Sequence, residues 1–271
     1  MKSACLNIVR KHDPDRFLLS LMAAMRCRPA LWALFAFNYE IAKTREVVSE
    51  TTIGLIRLQW WRDAIAEIYE GKPVRRHEVV DELATAIKEY DLPREDFDNL
   101  IYAREFDLEG VAPANIEGLN NYCDFTTTPL YRLALKITGE SCYDSGESAR
   151  LRSESIRYAR IGILRSVPFM RSQRRVMLPQ DVLIKNNLSE QKFCDFNQFE
   201  NLPEVIKEVL ESDNGFRNDQ SKPKSRFLRA ITAMSDLYTA QIESVRYDVF
   251  DPKLQVAPPF MALRVWIMSR F

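Results

Sequence analysis

Residues 51–71 read TTIGLIRLQWWRDAIAEIYEG. Ile53, Leu58, Trp61, Ile65 and Ile68 recur at steps of three to five, the spacing that gathers side chains on one side of an α-helix. A half-buried strand would instead alternate apolar and polar residues, and no such alternation persists anywhere in the chain. Gly71 closes the stretch, since glycine takes the left-handed conformation that ends helices. Trp61 is expected in the core, with Trp60 partly covering it, because large apolar side chains leave water first.

The same pattern extends outward in both directions. Residues 15–27 read as a helix with Asp15 as N-cap, and Pro29 suits the first turn of a helix running to about Glu50. The segments 74–92, 93–109 and 115–139 follow, and 147–175 predicts a long helix with Pro168 inside it. The more polar 189–224 region reads as a looser helix–loop stretch. Segments 225–248 and 257–270 predict closing helices, the last of them a core helix whose charge is too sparse for a membrane anchor. With 271 residues, no linker and no internal repeat, the chain is expected to form one all-α domain over 1–271.

Composition removes several function classes. Lys+Arg and Asp+Glu both total 38, so no long-range field draws the chain to nucleic acid. Eight glycines and no GxGxxG or GxxxxGK[ST] run leave no phosphate loop. The five cysteines, Cys5, Cys27, Cys123, Cys142 and Cys194, are scattered without a CxxC and read as reduced thiols. His12 and His77 are the only histidines, which disfavours a histidine metal site or a Ser/His/Asp triad. Residues 17–37 are apolar but interrupted by Arg26, Arg28 and Pro29, so they read as two helices rather than one membrane span. A cytoplasmic protein is expected, with at most peripheral contact at the inner membrane.

Several stretches together resemble the squalene/phytoene synthase family. They are DRFLLSLMAAMRCRPALWALFAF (15–37), REFDLEG (104–110), NNYCDF (120–125) and ILRSVPFMRSQRRVMLP (163–179). The last is the most specific, and the resemblance is strongest over 15–182. FAFNYEI, VSETTIGLIRLQWWRDAI and LRSVPF further resemble a sub-branch, bacterial relatives of a mitochondrial complex I assembly factor. The resemblance implies an all-α, multi-helix isoprenoid synthase fold around a central cavity. Enzymes of the family join two prenyl diphosphates. Magnesium, held by carboxylates on two helices, neutralises the diphosphate that leaves.

On the first of these helices the resemblance places Ala42, Lys43 and Glu46 where the family has three aspartates. Tyr39, Lys43 and Glu46 would share a face, and Lys43 could pair with Glu46. On the second, Ser166, Phe169 and Met170 stand where the family has acids, so one of six remains. Methionine and phenylalanine offer nothing that a hard cation binds. Asp107, Tyr122 and Arg165 match residues the family keeps near the cavity, and Arg171, Arg174 and Arg175 extend a basic segment. The cavity or ligand-binding candidates are therefore Tyr39, Lys43, Glu46, Asp107, Tyr122, Arg165, Ser166 and Arg175. No residue is expected to be catalytic or to hold a metal, and no cofactor is expected.

These readings predict a non-catalytic member of the family. Its implied partner is a respiratory-complex subunit or assembly protein, with an isoprenoid or lipid as ligand. The alternative is a prenyl-diphosphate transferase with a modified site, in which Glu46 and Asp107 would hold magnesium. An isoprenoid- or lipid-binding protein is the third reading.

Overall fold

A computed structural model describes residues 3–48, 50–140, 145–195, 200–212 and 223–270. Among these residues all regular structure is helical. The helices are α1 (Ala4–His12), α2 (Pro14–Met22), α3 (Arg28–Ala42), α4 (Thr44–Val47), α5 (Thr51–Tyr69), α6 (Glu78–Tyr90) and α7 (Arg94–Glu109). Then come α8 (Ile116–Thr138), α9 (Ser145–Ser172), α10 (Gln180–Lys185), α11 (Glu190–Asp195), α12 (Leu202–Glu211), α13 (Arg226–Ser244) and α14 (Met261–Met268). No described helix is long and apolar enough to cross a membrane. Cys5, Cys27, Cys123 and Cys194 are free thiols, and Cys142 lies outside the described residues.

Two element ends depart from the spacing. The N-cap of α2 is Asp13 rather than Asp15: its Oδ1 accepts the Arg16 N–H at 3.0 Å, and Pro14 opens the helix. Proline suits that place because its missing N–H would have no partner there. The helix expected to reach Glu50 stops at Ala42. Lys43 breaks it, α4 adds one further turn, and Val48 is extended. Val47 and Val48 are β-branched, which weakens helical continuation, and the extended Glu50 then caps α5.

The chain packs into two compact units. The first draws on residues 1–109, 125–148 and 225–227. Here α3 is the inner helix, with ten of its fifteen residues buried and α1, α2, α6 and α7 packed on it. A helix apolar on all sides needs such enclosure. Phe37 meets Trp61 edge-on at 5.5 Å and Phe97 at 5.4 Å. Trp61 is buried, and the half-buried Trp60 lies edge-on to it at 5.0 Å. Helices α5 and α7 pack closely at Gly54, where a Cβ would lie 2.6 Å from Leu108 Cδ2.

The second unit draws on residues 110–124, 149–224 and 228–271. Arg157 of α9 pairs with Asp236 of α13 at 2.7 Å, and α10 packs on α12. The expected core helix at 257–270 is a correction. In α14 only Met261 and Val265 are buried, followed by Ser269 just past its end. Residues 262–264 and 266–268 are exposed.

Candidate functional site

The end of α3 carries a buried carboxylate that the family comparison of positions 42, 43 and 46 passes over. Glu40 is 7% exposed. Lys43 Nζ donates to its Oε1, and Arg57 Nη2 of α5 donates to its Oε2 at 2.9 Å. Two cations thus hold one carboxylate, and each occupies one of its oxygens. The Lys43–Glu46 pair that the spacing allows is not what forms: Lys43 turns back to Glu40, three residues earlier. The break after Ala42 leaves Glu46 exposed on α4. Lys43 Nζ also sits 4.9 Å from the centre of the Tyr39 ring, which stacks on His12 at 4.6 Å. The Tyr39 hydroxyl pKa is raised, by burial first and then by the charges of Glu40 and Glu46.

Asp107 lies on α7 in the same unit and is 4% exposed. Arg104 Nη1 donates to its Oδ2 at 3.3 Å, and Arg104 Nη2 donates to Asn38 Oδ1 of α3 at 3.4 Å. The structure therefore brings Tyr39 and Lys43 into contact and gives Asp107 an arginine partner. Among the described residues, no three His, Cys, Asp or Glu side chains are grouped to hold a metal ion.

The other candidates lie in the second unit. Ser166 Oγ donates to Ile163 O of its own helix at 2.8 Å. The Arg165 guanidinium lies over the Tyr238 ring, 3.5 Å from its centre, a cation–π contact. Arg175 Nη2 reaches Met177 Sδ at 3.5 Å, Arg171 Nε donates to Phe193 O at 2.9 Å, and Arg174 is exposed. Phe169 is exposed, and Tyr122 and Met170 are half-buried.

This donor set does not suit magnesium. Such a site needs hard oxygen ligands left free to coordinate. Here the buried carboxylate at the end of α3, Glu40, is occupied by an ammonium and a guanidinium, and Glu46 is the one acid kept at the replaced positions. The first of the replaced positions on α9 holds a hydroxyl bonded to its own backbone, and the other two hold Phe and Met. What the arrangement does chemically is neutralise charge internally.

Two further features escape a reading of spacing. Arg160 is 2% exposed, and its Nη1 donates to Ser212 Oγ at 2.6 Å and Asn120 Oδ1 at 3.2 Å. The buried Cys123 thiol has its pKa pushed up to about 12 by burial, against the opposing charge of Arg160. In the first unit a pocket of about 560 Å³ is lined by Val47, Ile53, Ile56, Arg57, Trp60 and His77. Ile53, placed on the apolar stripe by its spacing, is exposed here instead.

Comparison with known proteins places this geometry. The squalene/phytoene synthase family model matches residues 9–259. NADH dehydrogenase (ubiquinone) complex I, assembly factor 6 of Bos taurus is 32% identical over 275 residues, covering 98% of this chain and 80% of that protein. A presqualene diphosphate synthase of Rhodopseudomonas palustris is 27% identical over 172 residues, 61% of this chain and 60% of that enzyme. The crystal structure of a dehydrosqualene synthase superposes with a TM-score of 0.73 at 14% identity, covering 98% of this chain and 94% of that one. Its fold is the all-α isoprenoid synthase fold. With a matching model over nearly the whole chain and this fold beneath it, the chain belongs to the squalene/phytoene synthase family.

Proposed function

We propose that this protein is a non-catalytic member of its family that acts in the assembly of respiratory complex I, through protein contacts. One observation carries the first half: Glu40 is held by Lys43 and Arg57 beside the positions where the family keeps its first aspartates. A diphosphate can leave only if its developing charge is met by cations. With Glu40 taken up by its two cations, Glu46 is the one carboxylate left at the family's positions on this helix end, too few ligands for a cluster that ionises a diphosphate. The similarity to assembly factor 6, which spans 98% of this chain, supports the second half. We place the protein in the cytoplasm, at most peripheral to the inner membrane. No helix among the described residues is long and apolar enough to cross a membrane.

Deleting the gene and measuring NADH-linked respiration and complex I abundance tests the proposal. The expected result is a loss of assembled complex restored by the wild-type gene. Unchanged complex I overturns the assembly role.

A second reading, binding of an isoprenoid or other lipid, is favoured by the apolar pocket at Val47, Ile53, Ile56 and Trp60. Its volume falls in the range of small-molecule sites. Extraction of the purified protein and mass spectrometry of co-purifying lipids tests it. An Ile56→Asp variant should lose such a lipid.

A further inference from the structure

We propose that α14 and the residue before it form a docking face for an anionic lipid bilayer surface. The helix uses one stripe to hold itself to the protein: Met261, Val265 and Ser269, each four residues apart. Arg229 of α13 fixes its end by donating from Nε to Ser269 O at 2.9 Å. At about 100° per residue, Leu263 and Ile267 point away from that stripe, and both are exposed, as are Trp266 and Met268. Among the described residues, these four side chains are left open to solvent.

Phe260 adds to the same exposed surface. It is 79% exposed and takes φ of 54°. That left-handed conformation is unfavourable for a bulky aromatic residue. The backbone is thus strained at the place where an aromatic ring is held out to water, and such strain marks functional positions.

The charges beside α14 are few, so the exposed apolar line carries most of the contact and only the sign of those charges selects the occupant. Residues 252–271 contain Lys253, Arg264 and Arg270 and no acidic residue, in a chain that is neutral overall. Arg270 lies over the Trp266 ring, 4.0 Å from its centre. Leu263 and Ile267 would enter the acyl boundary, with Arg264 on one flank and Trp266 with Arg270 on the other. Tryptophan and arginine both favour the headgroup level of a bilayer. A short helix with an apolar outer line and only basic charge fits an anionic lipid surface better than a protein groove, which would supply charges of both signs. This goes beyond the assembly role and stands whether or not that role holds.

The test uses the full chain and two vesicle preparations, phosphatidylcholine alone and phosphatidylcholine mixed with phosphatidylglycerol. The protein should co-sediment with the mixed vesicles and be released by salt. The Leu263→Ser/Ile267→Ser variant should lose binding on the order of tenfold or more. The Arg264→Gln/Arg270→Gln variant should lose about as much on the mixed vesicles, because each basic residue near an anionic surface contributes roughly fivefold. Unchanged thermal unfolding of both variants is expected, since the substituted side chains are exposed. Absent wild-type binding, or binding that both variants keep, overturns the proposal. So does a concentration-dependent dimer that Leu263→Ser/Ile267→Ser dissolves, which would assign the face to a second copy.

Discussion

At the residue scale, Glu40 is the hub of its cluster and the two cations are its spokes. Lys43→Met leaves Arg57 on the carboxylate and should cost at most about 1 kcal/mol, as for other partly exposed pairs. Glu40→Ala strips both cations of their anion and should cost more, about 1–3 kcal/mol. Urea unfolding of the two variants checks the order; equal costs would deny Glu40 that role. Glu154 supplies a pH signature. Burial raises its pKa, against the lowering pull of Arg157. A carboxyl raised in the folded state holds its proton more tightly there than in the unfolded chain. Its contribution to stability is full below the ordinary glutamate value, about 4.3, and is lost as pH rises through the raised folded value. Glu154→Gln removes that loss. Stability of the variant relative to wild type should therefore rise across that window, and a difference flat with pH would contradict the assignment. Some of this was legible beforehand and some was not. The replacement of acids by Lys43, Ser166 and Met170 can be read from aligned motifs. The partner of Lys43 cannot, because Glu40 and Glu46 stand three residues away on either side and only the break after Ala42 decides between them. Arg57 is a further 17 residues from Glu40 and leaves no local signal.

At the scale of elements, α5 shows what periodicity captures and where it stops. Leu58, Trp61 and Ile65 are buried as their spacing predicts, while Ile53 is exposed at the rim of a pocket. The stripe marks a helix but does not say how far along it the core extends. Gly54 explains the packing at that end of α5. A Cβ there would meet Leu108 at 2.6 and 2.8 Å, so overpacking of about 1–3 kcal/mol opposes a helix-propensity gain of about 1 kcal/mol for alanine. Gly54→Ala should therefore be destabilising by about 1 kcal/mol, and Leu108→Ala should relieve the clash in a double-mutant cycle. Additive effects of the two substitutions would contradict a direct contact. The closing helix escaped the sequence reading for a different reason. Its apolar residues occupy nearly the whole circumference, so sequence alone offers no outward face. Only the packing reveals that a single stripe turns inward.

At the scale of the whole molecule, the fold and the chemistry separate. The isoprenoid synthase fold persists at 14% identity to a dehydrosqualene synthase, because a pattern of apolar positions is enough to rebuild the helices. Function depends instead on a few side chains placed on that frame, and here the expected metal positions keep one carboxylate of six, Glu46, beside a Lys43 that is paired with Glu40. A protein with this site should not ionise prenyl diphosphates. The most direct measurement is pyrophosphate release from an allylic prenyl diphosphate by the purified protein in magnesium. Release at the rate of a protein-free control is expected, unchanged in Glu46→Gln and Asp107→Asn. Release well above that control, abolished by either substitution, would contradict it.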